Sequence, residues 1–203
     1  MKKLLSLGLF MLTALVFTAF RPLIGTGYGI GDTAADFKLT SVDGTQHSLA
    51  GIQGAKGYIV VFTCNACPYA QAYEDRIIAL HKKYAPLGFS VVAINPNDKN
   101  VQPGDSFDKM KERAKAKQYP FLYLYDESQE VAKNYGATRT PHVYVLDATR
   151  TVRYIGAIDD NSEDPSGVTE KYVENAVDAL LAGKEVATKE TKAIGCSIKW
   201  RKS

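Results

Sequence analysis

The chain has 203 residues, of which 45% are hydrophobic and 23% are charged, a balance that excludes a disordered chain and fits one globular domain. Its formal charge of +3 is too small to predict nucleic acid as the main partner. Three cysteines are too few for a disulfide-stapled scaffold in a chain of this length, so what matters is where they lie.

The first segment is apolar. Lys2 and Lys3 precede residues 4–20, which carry no charge and are mostly hydrophobic, and this is the pattern of a secretory signal peptide. The cleavage site is weak and the run is at the lower limit for a membrane span. We therefore expect residues 1–24 to be a signal peptide or an uncleaved N-terminal anchor. In either case the folded part is expected in the periplasm or another extracytoplasmic compartment, with no membrane contact beyond this segment.

Residues 28–185 are predicted to form one domain in which strands alternate with helices. An Asp43-Gly44 turn joins two short strands into a hairpin, and residues 58–62 form the continuous apolar run of a buried central strand. The later predicted elements are helices at 70–84, 106–118, 128–135 and 169–182, strands at 89–94 and 121–125, and a hairpin of 143–147 with 151–155. This order predicts an α/β fold with a mixed central sheet flanked by helices.

The predicted chemistry lies where the strand at 58–62 ends and the next helix begins. Residues 64–67 read CNAC, and two cysteines at this spacing can reach disulfide geometry. We expect Cys64 to be exposed at the turn with its pKa lowered by the helix N-terminus, and Cys67 to be tucked toward the helix. One sulfur of such a pair can attack a disulfide and the other can release the product. Cys64 and Cys67 are therefore the predicted catalytic residues.

A second signal is Thr140-Pro141, just before the strand at 143–147. A proline that enters a strand from a loop is often only an edge or turn residue. After three strand units, however, it could be a cis proline whose loop lies against a disulfide. The sequence does not decide its isomer.

The last predicted part is a tail at residues 186–203. A charged stretch leads into a more apolar end that carries Cys196 and the only tryptophan of the chain. We expect Ile198 and Trp200 to dock this tail onto the domain, and the role of Cys196 is left open.

Together these motifs resemble the thioredoxin-like superfamily, in its extracytoplasmic redoxin branch, which is similar to both AhpC/TSA-like peroxiredoxins and TlpA-like thiol-disulfide oxidoreductases. The resemblance is carried by residues 62–69 (FTCNACPY), 93–98 (AINPND), 136–141 (GATRTP) and 194–200 (IGCSIKW). It implies a thioredoxin fold with an N-terminal β-hairpin extension. It also implies Cys64 as the attacking thiol, Cys67 as the resolving thiol, and Thr140 with Pro141 as the substrate-positioning element.

The resemblance further implies protein disulfides as substrates, an upstream thiol donor as partner, a reducing direction and no cofactor. The chain departs from thioredoxin because residues 58–63 supply neither its tryptophan nor its buried aspartate. The proton acceptor for Cys67 is therefore unassigned, and Glu74 lies too far along the helix to serve.

Other uses of the cysteines stay open. A peroxiredoxin-like peroxidase would use Thr63 as an auxiliary group and Cys196 as a distant resolving thiol, although Cys64 stands where such sites place a threonine before their reactive cysteine. A copper-binding module would use both CNAC cysteines with His142, although a surface or partner-contacting role for His142 is the simpler one. No metal is expected, because zinc needs a second close pair of cysteines or histidines. An inert structural disulfide is disfavoured by the strand-to-helix setting.

Overall fold

Seven strands form one mixed sheet in the computed structural model, which describes residues 27–202. The signal or anchor predicted at residues 1–24 lies outside the described residues. The described strands are β1 (Leu39–Ser41), β2 (Gln46–His47), β3 (Gly57–Phe62), β4 (Phe89–Asn95), β5 (Leu122–Tyr125), β6 (Arg139–Thr140), β7 (His142–Asp147), β8 (Val152–Gly156) and β9 (Cys196–Ser197). The helices are α1 (Pro68–Tyr84), α2 (Phe107–Lys117), α3 (Glu130–Tyr135) and α4 (Tyr172–Leu181).

The large sheet has the order β2-β1-β5-β4-β3-β7-β8. Strands β3, β4 and β5 run parallel to one another, while β1, β7 and β8 pair antiparallel with their neighbours. The short hairpin β1–β2 extends the sheet at one edge. The predicted α/β fold, a thioredoxin-like mixed sheet with an N-terminal hairpin, is confirmed.

Strand β3 is buried along its whole length, as expected of a central strand with helices on both faces. Val60 and Phe62 point into the core beneath α3, whereas Ile59 and Val61 point into the core beneath α1 and α4. Because β3 and β4 are parallel, their carboxyl ends meet at one edge of the sheet. Helix α1 starts at that edge with Pro68 in its first turn, where a missing N–H costs little.

The C-terminal residues return to the same edge. Strand β9 pairs antiparallel with β6, with Thr140 opposite Cys196. Ile198 is buried as predicted, but Trp200 is 38% exposed, so it docks the tail less than expected: its ring lies at the surface, 6.0 Å from the Lys133 ammonium. The boundary at residue 185 stays a prediction. Among residues 27–202, none of the helices has both the length and the apolar character needed to cross a membrane.

Candidate active site

All three cysteines lie in one cluster at the carboxyl end of β3. Cys64 follows β3, Cys67 immediately precedes α1, and Cys196 lies in β9. A disulfide joins Cys67 to Cys196, whose Cα atoms are 6.1 Å apart, and Cys64 is a free thiol. The motif at 64–67 is therefore where the sequence places it, but the disulfide present is formed with the tail. Sequence spacing could not show this pairing, because the two residues are 129 positions apart.

Cys64 was expected to be exposed at the turn, but it is buried, with 3% of its surface exposed. Burial, with a smaller contribution from the Asp105 carboxylate, raises the pKa of Cys64 to about 11. The Thr140 hydroxyl, 3.2 Å from Cys64 Sγ, acts in the opposite direction, as do the N–H groups of Ala66 and Cys67. The helix N-terminus thus acts in the predicted sense, but the expected lowering of the pKa is wrong because desolvation outweighs it.

Asp105 is a site residue that the sequence did not reveal. It is fully buried in a short 3₁₀ turn before α2. Its Oδ1 accepts the N–H groups of Asn65 and Ala66 at 2.6 and 3.2 Å, and its Oδ2 accepts the Asn97 amide at 2.7 Å. The carboxylate thereby fixes the loop between the two cysteines. The sequence carried one indirect signal, since Asn97 belongs to the motif at 93–98.

Thr140 contacts all three cysteines. Its hydroxyl faces Cys64 Sγ, its carbonyl oxygen lies 3.3 Å from Cys67 Sγ, and its backbone pairs with Cys196 across the β6–β9 ladder. The Thr140–Pro141 peptide is cis. The structure therefore brings this dipeptide against the sulfurs, which the sequence offered as one of two interpretations.

The two remaining auxiliary candidates, Thr63 and His142, lie beside the site, but their hydrogen bonds are made with backbone groups and not with the sulfurs. Thr63 is buried, and its backbone N–H donates to the Ile94 carbonyl at 2.9 Å. His142 is also buried, which corrects the expected surface role: its Nδ1 accepts the Thr138 N–H at 3.4 Å, and burial lowers its pKa to about 4. Across residues 27–202 no three His, Cys, Asp or Glu side chains are arranged to hold a metal ion.

Comparison with known proteins gives a consistent result. The AhpC/TSA family matches residues 30–155. The thiol-disulfide oxidoreductase ResA of Geobacillus thermodenitrificans (strain NG80-2) is 26% identical over 152 residues, which cover 72% of this chain and 81% of that protein. The crystal structure of an uncharacterized conserved protein from Geobacillus kaustophilus is 41% identical, with a TM-score of 0.81 and coverage of 86% of this chain and 94% of that one.

A more distant structure shows the fold alone. The thiol:disulfide interchange protein, thioredoxin family, of Chlorobium tepidum TLS is 22% identical with a TM-score of 0.54, over 68% of this chain and 93% of that one. The predicted assignment to the thioredoxin-like redoxins, and to the oxidoreductases as an enzyme class, is confirmed at this level. The chain belongs to the AhpC/TSA family.

Proposed function

We propose that this protein is an extracytoplasmic thiol-disulfide oxidoreductase that reduces disulfides of other proteins through Cys64 and Cys67. The observation that carries the proposal is the position of the free Cys64 thiol, between the end of β3 and the start of α1 and against the cis Thr140–Pro141 peptide. Similarity to ResA, a thiol-disulfide oxidoreductase, supports the same chemistry.

In the proposed reaction the Cys64 thiolate attacks one sulfur of a substrate disulfide and forms a mixed disulfide, and the other substrate sulfur leaves as a thiolate. Cys67, as a thiolate, then attacks Cys64 Sγ and releases the second substrate sulfur. Cys67 can do this only after its disulfide with Cys196 has been reduced. The cycle therefore needs an upstream thiol donor as a partner.

The electrostatics of Cys64 support the reducing direction. A strongly stabilised thiolate favours the reduced enzyme and makes it an oxidant of its substrates. In the structure, where Cys67 is bonded to Cys196, burial, followed by the charge of Asp105, raises the pKa of Cys64 to about 11 and outweighs the hydrogen bonds that stabilise its thiolate. We therefore expect the dithiol form to give up its electrons.

Reduction of insulin with dithiothreitol as electron donor tests the proposal. We expect Cys64→Ser and Cys67→Ser each to lower the enzyme-dependent rate at least about tenfold, because removal of either sulfur stops the exchange. Ser197→Ala, which alters an exposed side chain beside the site, is the matched control and should keep the wild-type rate. Full activity in Cys64→Ser would contradict the proposal.

Hydrogen peroxide, offered in place of insulin, tests the peroxidase alternative. Peroxiredoxin-like sites use an arginine to activate the peroxide, but three arginines of this chain are bonded to other groups. Arg76 binds Asp159, Arg113 binds Glu74, and Arg139 Nη1 donates to the Gly195 carbonyl. We expect peroxide consumption to be much slower than insulin reduction. Fast peroxide consumption that survives the loss of Cys64 would favour the alternative.

The extracytoplasmic location rests on the apolar N-terminal run of the sequence. A fusion of the full chain to alkaline phosphatase, which is active only where disulfides form, measures it. We expect an active fusion, and an inactive fusion after residues 2–20 are deleted. Equal activity with and without the segment would contradict the proposed export signal.

A further inference from the structure

We propose that Cys196 is a third redox-active thiol, and that the Cys67–Cys196 disulfide is the oxidised end state of the catalytic cycle, formed when Cys196 attacks Cys67 and releases Cys64. This proposal rests on the proposed exchange at Cys64 and adds a step to it. The observation behind it is that one structure holds a free Cys64 thiol beside a disulfide between the other two cysteines.

The tail is fitted to the site through its backbone. Cys196 lies opposite Thr140 in the β6–β9 ladder, so the strand that carries the third sulfur runs along the residue that faces the other two. Gly195 packs against the Thr140–Pro141 peptide so closely that a Cβ atom at this position would collide with the Thr140 carbonyl. A side chain at residue 195 would therefore push Cys196 away from the other sulfurs.

The tail also has docking contacts that do not depend on its disulfide. Ile198 is buried, and its N–H donates to the Thr138 carbonyl at 3.2 Å. The Lys199 carbonyl accepts the Asp98 N–H at 2.9 Å, and the Arg201 guanidinium pairs with the Asp98 carboxylate at 2.9 Å. These contacts can hold the Cys196 thiol beside Cys67 before the Cys67–Cys196 bond exists, which an attack of Cys196 on the Cys64–Cys67 disulfide requires.

The sequence of steps balances. Cys64 attacks the substrate disulfide, Cys67 attacks Cys64, and the substrate leaves with two thiols while the enzyme holds a Cys64–Cys67 disulfide. The Cys196 thiolate then attacks Cys67 Sγ, the Cys67–Cys196 bond forms, the Cys64–Cys67 bond breaks, and Cys64 leaves as a thiolate. The substrate gains two electrons, and the Cys67–Cys196 pair has lost two.

The surroundings of Cys64 favour this end state. Once released, Cys64 is buried next to the Thr140 hydroxyl, and the site raises its pKa to about 11. The thiolate that leaves therefore takes up a proton, and Cys64 rests as the free thiol beside the Cys67–Cys196 disulfide.

Disulfide mapping over time tests the relay. The fully reduced full-length chain is mixed with one equivalent of oxidised glutathione, quenched with acid at intervals, alkylated and mapped by peptide mass spectrometry. We expect a Cys64–Cys67 disulfide first, followed by its replacement with Cys67–Cys196 and an alkylated Cys64. Cys196→Ser should form the first mixed disulfide at the wild-type rate and stop at Cys64–Cys67, whereas Ser197→Ala should complete the sequence.

The order of disulfides in the wild-type chain decides the question even if a variant loosens the tail. The relay is wrong if Cys64–Cys67 is the final wild-type disulfide. It is equally wrong if Cys67–Cys196 forms in Cys64→Ser as fast as in the wild type, since the bond would then be a structural link made without Cys64. If no cysteine exchanges with glutathione at all, the proposed function fails, and the relay that depends on it fails too.

Discussion

Cys64 lies between groups that favour its thiolate and groups that oppose it. The Thr140 hydroxyl and the N–H groups of Ala66 and Cys67 favour the charged sulfur, while burial and the Asp105 carboxylate oppose it. The opposing contributions are larger, and the pKa rises to about 11. The reactivity of this thiol is therefore set by its immediate neighbours, and changes at those neighbours should move its pKa in directions fixed by the structure.

Replacement of Asp105 by asparagine should lower the pKa of Cys64. The variant keeps an oxygen that can accept the Asn65 N–H but removes the negative charge that opposes the thiolate. At pH 8, below the raised pKa, a larger fraction of Cys64 is then ionised, and iodoacetamide should alkylate the oxidised chain severalfold faster. Asp75→Asn, at an exposed carboxylate of α1, is the control. Equal rates for Asp105→Asn and wild type would show that burial alone sets the pKa.

Replacement of Thr140 by valine should have the opposite effect. The change keeps the shape of a buried side chain but removes the hydroxyl at 3.2 Å from Cys64 Sγ. In the wild type this hydroxyl lowers the pKa of Cys64. The pKa should therefore rise above that of the wild type, and alkylation at pH 8 should slow. The pH profile of the alkylation rate measures the shift. A profile displaced to lower pH would contradict the assigned role of the hydroxyl.

At the scale of the elements, α1 presents the cysteine loop and is held against α2 by Glu74. The Glu74 side chain is 4% exposed, and its carboxylate accepts hydrogen bonds from Arg113 at 2.6 Å and Tyr119 at 2.7 Å. The turn just before α2 supplies Asp105 to the loop. The bonds of Glu74 to Arg113 and Tyr119 thus tie α1 to the part of the chain that follows Asp105.

Glu74→Gln should destabilise the fold and flatten its acid response. Burial alone would raise the pKa of Glu74, but hydrogen bonds from Arg113 and Tyr119 outweigh it, and the pKa lies below the ordinary 4.5. The ionised group therefore stabilises the folded state above about pH 4.5, and this stabilisation is lost as the pH falls through the lower folded-state value. At pH 7 we expect a loss of about 1–3 kcal/mol in the free energy of unfolding.

Urea unfolding of Glu74→Gln at pH 7 and pH 3 provides the measurement. The stability difference between variant and wild type should shrink at the lower pH, because the stabilisation by the ionised group is lost as the pH falls below the ordinary pKa of 4.5. Glu112→Gln, at an exposed carboxylate of α2, serves as control and should change stability little. A difference that stays the same at both values of pH would contradict the linkage.

The elements follow from the sequence more closely than the site does. The apolar run of β3 and the helical spacing of α1 depend on neighbouring residues, so their patterns predicted the CNAC loop at a strand-to-helix junction. Asp105 reaches Asn65 from 40 positions away, and Cys196 reaches Cys67 from 129. Contacts of that range are set by the packed fold, and a single sequence carries no periodic signal for them. The burial of Cys64 depends on the same long-range contacts. Because the sequence does not show that burial, it predicted a lowered pKa where the structure gives a raised one.

On the scale of the whole molecule, the tail returns to the cysteine cluster at the carboxyl end of β3. The disulfide links the start of α1 to residue 196, across almost all of the domain. A cross-link over so long a loop restricts the unfolded chain strongly. The oxidised molecule should therefore be more stable than the reduced one, while the docking of Ile198 keeps the reduced molecule folded.

Cys196→Ser should lower the free energy of unfolding of the oxidised chain by about 2–4 kcal/mol, because the unfolded chain regains the freedom that the disulfide removed. Guanidinium unfolding of both proteins measures the difference. With dithiothreitol present, the wild type should fall to nearly the stability of the variant. If the two oxidised proteins are equally stable, the disulfide does not constrain the unfolded chain.

The most direct measurement of the central claim is a mixed-disulfide trap. The reduced Cys67→Ser protein is incubated with insulin, quenched with acid and mapped by mass spectrometry. Loss of the resolving sulfur should leave an insulin chain bound through Cys64 in a long-lived adduct, whereas the wild type under the same conditions should release it. An adduct at Cys196, or no adduct in the variant while the wild type reduces insulin, would contradict the assignment of Cys64 as the attacking thiol.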